Sequence, residues 1–229
     1  PDPYGDDTEE YEKIFSFFLR YDIRYFFYIG GNDSMDAVKK LTEYSKKINY
    51  EMVFMGVPKT IDNDLEKTDH TPGFGSAAKY VATVMQEISC DCAVYTVKAV
   101  TVVEVMGRDA GWLTAAAGLP RLIGEKTADL IYLPEVPFDE DRFIEDIKTL
   151  FSEKPNVVVA VSEGIKTAEG EYVGARAQSG VTDIFGHKYL AGTAKYLERR
   201  RFFFDESGDE RRICYRLKTQ RRRNLSYRV

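Results

Sequence analysis

Short continuous runs of apolar and β-branched residues, each stopped by glycine or proline, alternate along this chain with segments of helical periodicity. Residues 24–29 (Arg-Tyr-Phe-Phe-Tyr-Ile) stop at Gly30-Gly31, residues 52–57 at Pro58 and residues 130–133 at Pro134. Residues 94–97, 99–105 and 157–161 are further runs of this kind. Between them, residues 9–20 carry Tyr11, Ile14, Phe15, Phe18 and Leu19 on one helical face. Helices are also predicted from Ser34 onward and over residues 76–88, 111–119, 143–151 and 185–197. Continuous apolar strands are expected where both faces of a sheet are covered. Strands alternating with helices predict an α/β fold with a mainly parallel sheet. Ligands in such folds sit beyond the carboxyl ends of the strands. Four polar or glycine-rich segments follow predicted strands: residues 30–34, 59–64, 106–108 and 162–164. They are expected at one sheet edge.

Bulk properties narrow the class. The 229 residues suit one large domain or two small ones. A hydrophobic fraction of 44% with 30% charged residues is ordinary for a globular protein. The net charge of −5 does not point to nucleic acid or a membrane surface. The acidic excess lies in residues 1–198, because residues 199–228 are crowded with arginine. Three cysteines, an odd number without framework spacing, suit reduced thiols in the cytosol. Cys90-Asp91-Cys92 is too compact and isolated for zinc, which usually needs four ligands. No apolar run approaches the ~20 residues of a membrane helix, and no signal peptide is expected. The chain opens on Pro1 rather than Met, so residue 1 is not taken as a natural start.

Each of the four segments carries two readings. In Gly30-Gly31-Asn32-Asp33-Ser34, glycines and a helix N-terminus can receive an anion, with Ser34 donating to a phosphate oxygen. The plainer reading is a turn with an Asp or Ser helix cap. Lys59-Thr60-Ile61-Asp62-Asn63-Asp64 places two carboxylates and a lysine just after an apolar strand. A base, a cation for phosphoryl oxygens and carboxylates for Mg²⁺ are what phosphoryl transfer requires. The alternative is a solvated charged loop. Arg108, in Met106-Gly107-Arg108, stands at a strand end where it can clamp a phosphoryl group. Trp112, the sole tryptophan, is expected in the core. Glu163 either accepts hydrogen bonds from sugar hydroxyls or starts a turn.

Taken together, Gly-Gly-Asn-Asp-Ser, Pro-Lys-Thr-Ile-Asp-Asn-Asp, Met-Gly-Arg-Asp-Ala-Gly-Trp-Leu and Val-Ser-Glu-Gly resemble the phosphofructokinase family in order and approximate spacing, over roughly residues 1–198. The resemblance implies a fold of two mainly parallel-sheet α/β domains with the site between them. Residues 1–73 would be the remainder of the phosphoryl-donor domain and residues 74–198 the sugar-phosphate domain. Asp62 would be the base for the 1-hydroxyl of fructose 6-phosphate, with Thr60 and Ile61 lining the same loop. Met106, Gly107 and Arg108 would hold the sugar phosphate and the transferring group, and Glu163 the sugar. Gly31, Asn32, Asp33 and Ser34 would face the donor. Asp64 would organise Mg²⁺, with Asn32 a weak neutral ligand where the family often has Asp. The resemblance further implies a cytoplasmic, glycolytic homo-oligomer, dimer or tetramer, with no nucleic-acid or membrane partner.

Two positions bear on the donor. ATP-using relatives commonly carry glycine where this chain has Asp33 and Lys59. A carboxylate at 33 would repel a nucleotide α-phosphate by on the order of several kcal/mol at low effective dielectric. Lys59 adds a cation suited to pyrophosphate. The pair resembles the pyrophosphate-dependent branch, by repulsion of one donor and attraction of another. An ATP-dependent enzyme, or an inactive fragment of either, is the alternative.

The family's N-terminal strand and glycine-rich donor loop would precede residue 1, and residues 199–229 do not align with it. Three readings cover that tail: a translated wrong frame, a basic arm that binds anions, or a divergent helix. Phe202-Phe203-Phe204 within it would promote aggregation if exposed.

Overall fold

The computed structural model describes residues 8–176, together with Thr193, Leu197 and the backbone of Arg211–Leu217. Apart from Thr193 and Leu197, which are helical, the helix expected over 185–197 lies outside the described residues, as does Phe202-Phe203-Phe204. The chain divides into two compact units, Pro1–Thr60 and Ile61–Val229.

In the first unit, α1 (Thr8–Arg20) and α2 (Asn32–Lys47) accompany β1 (Tyr25–Gly30) and β2 (Val53–Pro58). The strands pair in parallel, from Tyr25↔Val53 to Gly30↔Pro58. The core is aromatic: Tyr11, Phe15, Phe18 and Leu41 are buried, with Phe26 and Phe54 packed against them. Phe15 meets Phe18 edge-to-face at 5.3 Å, a geometry that the ring quadrupoles favour. The expectation of two covered faces fails here. Phe26 and Phe54 point to the core while Tyr25, Phe27, Ile29, Val53 and Met55 are exposed. The cause is geometric: strand side chains alternate, and the described helices cover one face.

In the second unit, the described strands form one parallel sheet in the order β4-β5-β3-β6. These are β3 (Ala99–Val105), β4 (Leu130–Tyr132), β5 (Asn156–Ser162) and β6 (Arg211–Leu217), with α3 (Phe74–Cys92) and α5 (Glu140–Phe151) as the long helices. After their first residues, β3 and β5 are buried throughout. Their side chains feed two clusters, one with Phe143 and Ile147 of α5 and one with Val81 and Met85 of α3. Thus continuous apolar runs here do become strands covered on both faces. Asp139 caps α5 by accepting from the backbone N–H groups of Asp141 (3.0 Å) and Arg142 (3.1 Å).

Several local expectations change. Residues 94–97 form no strand; they turn after α3, and Val94 and Tyr95 are exposed. The helix at 111–119 shrinks to α4 (Trp112–Ala115), followed by a tighter 3₁₀ segment, Ala116–Ile123, that contains Pro120. Trp112 is 56% exposed rather than buried, because Leu113, Thr114 and Ala117 occupy the core side of that segment. Residues 211–217 of the arginine-rich tail are a strand paired with β3, not a helix. Lastly, the four polar segments do not share one edge. The described strands make two sheets, and two segments follow each.

Candidate active site

In the first unit, the segments after β1 and β2 lie side by side. The backbone N–H of Lys59 donates to the Gly30 carbonyl at 2.8 Å. Gly31 sits beside the Lys59 carbonyl, which a Cβ there would meet at 3.7 Å. Gly31 is also the N-cap of α2 and has no side chain to cap it, so the Asp or Ser of the plainer reading does not stand at the cap position. Asn32, Asp33 and Ser34 form the first helical turn, where the helix dipole favours an anion. Position 30 must be glycine, because a Cβ there would lie 1.9 Å from Ser34 Oγ. Asp33 and Lys59 are both exposed.

In the second unit, β3 and β5 are neighbours, so the segments 106–108 and 162–164 emerge together. The Glu163 N–H donates to the Val105 carbonyl at 2.9 Å. Glu163 Oε1 in turn accepts from the backbone N–H groups of Gly107 and Arg108, each at 3.3 Å. A carboxylate predicted to touch sugar therefore also shapes the loop that carries Arg108. Arg108 is exposed and adopts φ +49°, a left-handed conformation that costs a non-glycine residue about 1–2 kcal/mol. Gly107, at φ +142°, has no room for a side chain, since a Cβ would fall 2.4 Å from the Ala110 carbonyl oxygen. The tightest approach is at Gly164, where a Cβ would lie 1.5 Å from the Arg108 carbonyl oxygen.

Asp109 anchors the far side of this loop. Its Oδ1 takes an ion pair from Lys166 Nζ at 2.7 Å and a hydrogen bond from Tyr172 Oη at 2.8 Å. The hydrogen bond from Lys166 is the main reason that the Asp109 carboxyl is held below its ordinary range, and the same contact raises the Lys166 ammonium above its own.

The Asp62 loop has its own internal support. Ile61 packs against the α3–β3 core cluster, beneath half-buried Asp62. Asn63 is 8% exposed, with φ +58°. Its side chain donates to the Asp69 carbonyl at 3.2 Å and accepts from the Thr71 N–H at 2.9 Å. Sequence reasoning misses Asn63 as the loop's organiser. The tolerance of asparagine for left-handed backbone, between two acidic neighbours, is the signal that could find it. Asp64 is exposed.

Among the described residues, no group of three or more His, Cys, Asp and Glu comes together to hold a metal ion. Asp64, the expected carboxylate ligand, would suit Mg²⁺ where phosphates and water complete its shell. Cys92, at the end of α3, shares a hydrogen bond with Thr101 Oγ1 at 3.2 Å, and burial pushes its thiol pKa up.

Comparison with known proteins bears on the family. The family model described as Phosphofructokinase matches residues 3–202. The pyrophosphate–fructose 6-phosphate 1-phosphotransferase of Xanthomonas campestris is 42% identical over 193 residues, which is 83% of this chain and 46% of that protein. The enzyme of the same name from Methylococcus capsulatus is 42% identical over 191 residues, covering 82% and 45%. The crystal structure of a pyrophosphate-dependent phosphofructokinase from Nitrosospira multiformis superposes with a TM-score of 0.63 at 38% identity, covering 86% of this chain and 51% of that one. The chain thus spans about half the length of the relatives it matches. With the α/β architecture and the match over residues 3–202 in agreement, this chain belongs to the phosphofructokinase family.

Proposed function

We propose that this protein transfers a phosphoryl group from pyrophosphate to the 1-hydroxyl of fructose 6-phosphate, as a Mg²⁺-dependent, cytoplasmic, glycolytic enzyme working as a homo-oligomer. The observation that carries the reading is the Arg108 loop at the carboxyl end of β3, whose left-handed backbone is bonded by Glu163 and closely approached by Gly164. Strain of this kind persists where surrounding contacts over-determine it, and it clusters at functional sites. The names of the relatives support the same reaction. On this reading, residues 1–73 serve the phosphoryl donor and residues 74–198 the sugar phosphate.

The roles follow from the chemistry. Asp62 takes the proton from the attacking hydroxyl as the phosphorus–oxygen bond forms. Thr60 and Ile61 line its loop. Arg108 neutralises charge on the transferring group, and Lys59 neutralises the departing phosphate. Gly31 to Ser34 offer a helix N-terminus to the donor. Met106 and Gly107 border the sugar phosphate, and Glu163 accepts from sugar hydroxyls while it holds the Arg108 loop. When bound, Mg²⁺ would supply charge neutralisation at the phosphates, with Asp64 as the carboxylate that would hold it.

Donor assays test the proposal. The protein is expected to consume pyrophosphate and not ATP; equal rates with both would sink the donor assignment. Asp62→Ala should lower turnover by about 10²-fold or more with the fold intact. Asp33→Gly combined with Lys59→Gly should shift preference toward ATP.

A further inference from the structure

Outside the residues already assigned to the reaction, one cluster of charged and hydroxyl groups touches the site directly. Asp109 follows Arg108 in the chain. Its carboxylate is held by Lys166 (2.7 Å) and Tyr172 (2.8 Å), from the segment that follows the neighbouring strand β5 at the same carboxyl end. Lys166 and Tyr172 are themselves joined, by a backbone bridge and by the Lys166 ammonium lying 4.5 Å from the Tyr172 ring centroid. Three side chains thus form a closed triangle, each in contact with the other two. The turn between 166 and 172 is tied further, with the Thr167 N–H donating to the Glu171 carbonyl at 2.9 Å.

We propose that Asp109, Lys166 and Tyr172 are a positioning latch that keeps the Arg108 backbone left-handed, so that the guanidinium is already placed for a pyrophosphate oxyanion before it binds. The part that concerns pyrophosphate rests on the reading of Arg108 given above. The Arg108 φ of +49° is unfavourable for arginine and needs external support. Glu163 supports the loop through the N–H groups on the N-terminal side of the strained bond. Beyond Arg108, the Ala110 N–H donates to the Gly107 carbonyl at 2.8 Å and the Gly111 N–H to Glu135 Oε1 at 2.7 Å, and Asp109 adds the side-chain anchor that ties the residue next to Arg108 to the 166–172 turn. A doubly held carboxylate also converts a flexible exposed loop into a preorganised one, which is how binding energy is kept for the transferring group.

The test uses the whole chain with two readouts. Amide hydrogen exchange over residues 107–111 reports the latch, and calorimetry with Mg²⁺-pyrophosphate reports its consequence. Asp109→Lys and Lys166→Asp should each lose protection over 107–111 and weaken pyrophosphate binding by about tenfold or more, as expected when charge-assisted bonds are broken. The double variant, with the charges exchanged, should recover most of both. Tyr172→Phe, which keeps the ring and fold, should produce a smaller loss in the same direction. Single variants that are folded and match the wild type in protection would overturn the latch, as would a double variant no better than the singles. A wild type that fails to bind pyrophosphate would overturn the donor reading instead, while the exchange data still judge the latch.

Discussion

The two sheets of this protein are built from similar sequence and end in different states. In the second unit, β3 and β5 are buried on both faces by α3 and α5. In the first, β1 and β2 bury Phe26 and Phe54 against α1 and α2, yet leave Tyr25, Phe27, Ile29, Val53 and Met55 exposed. An apolar run specifies a strand, but not how many neighbours cover it. The segments that follow the strands differ in the same sense. Those after β3 and β5 are locked by side-chain-to-backbone bonds and a backbone approach that tolerates no Cβ. Those after β1 and β2 are joined by the Lys59–Gly30 backbone bond, and α2 begins at an N-cap glycine.

Glycine substitutions sharpen that contrast most. Gly164→Ala should destabilise the second unit by about 4 kcal/mol or more, because its Cβ would overlap the Arg108 carbonyl. Gly31→Ala places its Cβ in ordinary contact, at 3.7 Å, and should stay within about 1 kcal/mol of wild type. Urea titration of both variants checks this; equal losses would break the comparison. Core truncation comes next. Ile147→Ala, at a fully buried site, should cost about 2–5 kcal/mol, whereas Ile29→Ala, at 68% exposure, should cost about 0.5 kcal/mol or less. A large loss at Ile29 would show that the outer face of β1 is covered in solution.

The smallest effect is one of pH. The Asp109 carboxyl is held below its ordinary range by Lys166 and Tyr172, so its folded pKa lies beneath its unfolded one. Its contribution to stability is then fully present above the ordinary carboxylate value of about 4 and is lost as pH falls through the depressed folded value. Unfolding midpoints should show this decline in the wild type and a shallower one in Asp109→Asn. Because Asp109 is 62% exposed at its side chain, the difference is expected to be slight.

The position of the candidate segments at strand ends is legible in the sequence alone. The segments around Lys59, Asp62, Arg108 and Glu163 each follow an apolar run, and strand ends are where such folds place ligand-binding loops. Asn63 is legible there only through its tolerance of left-handed backbone, whereas the Asp109–Lys166–Tyr172 triangle is not legible, because Asp109 meets partners 57 and 63 residues away, which no local pattern encodes. Trp112 illustrates the converse error. Its composition suggests burial, but a one-turn helix followed by a 3₁₀ segment rotates it outward.

The α/β alternation, the family and the placement of the candidate loops at strand ends are all written locally in the chain, because hydrophobic periodicity and glycine and proline punctuation act over a few residues. Which strands share a sheet, which faces are covered and what holds the Arg108 backbone left-handed emerge only when distant segments pack. Those outcomes depend on long-range pairing, on which side-chain volumes meet, and on hydrogen-bond partners brought together from distant parts of the chain.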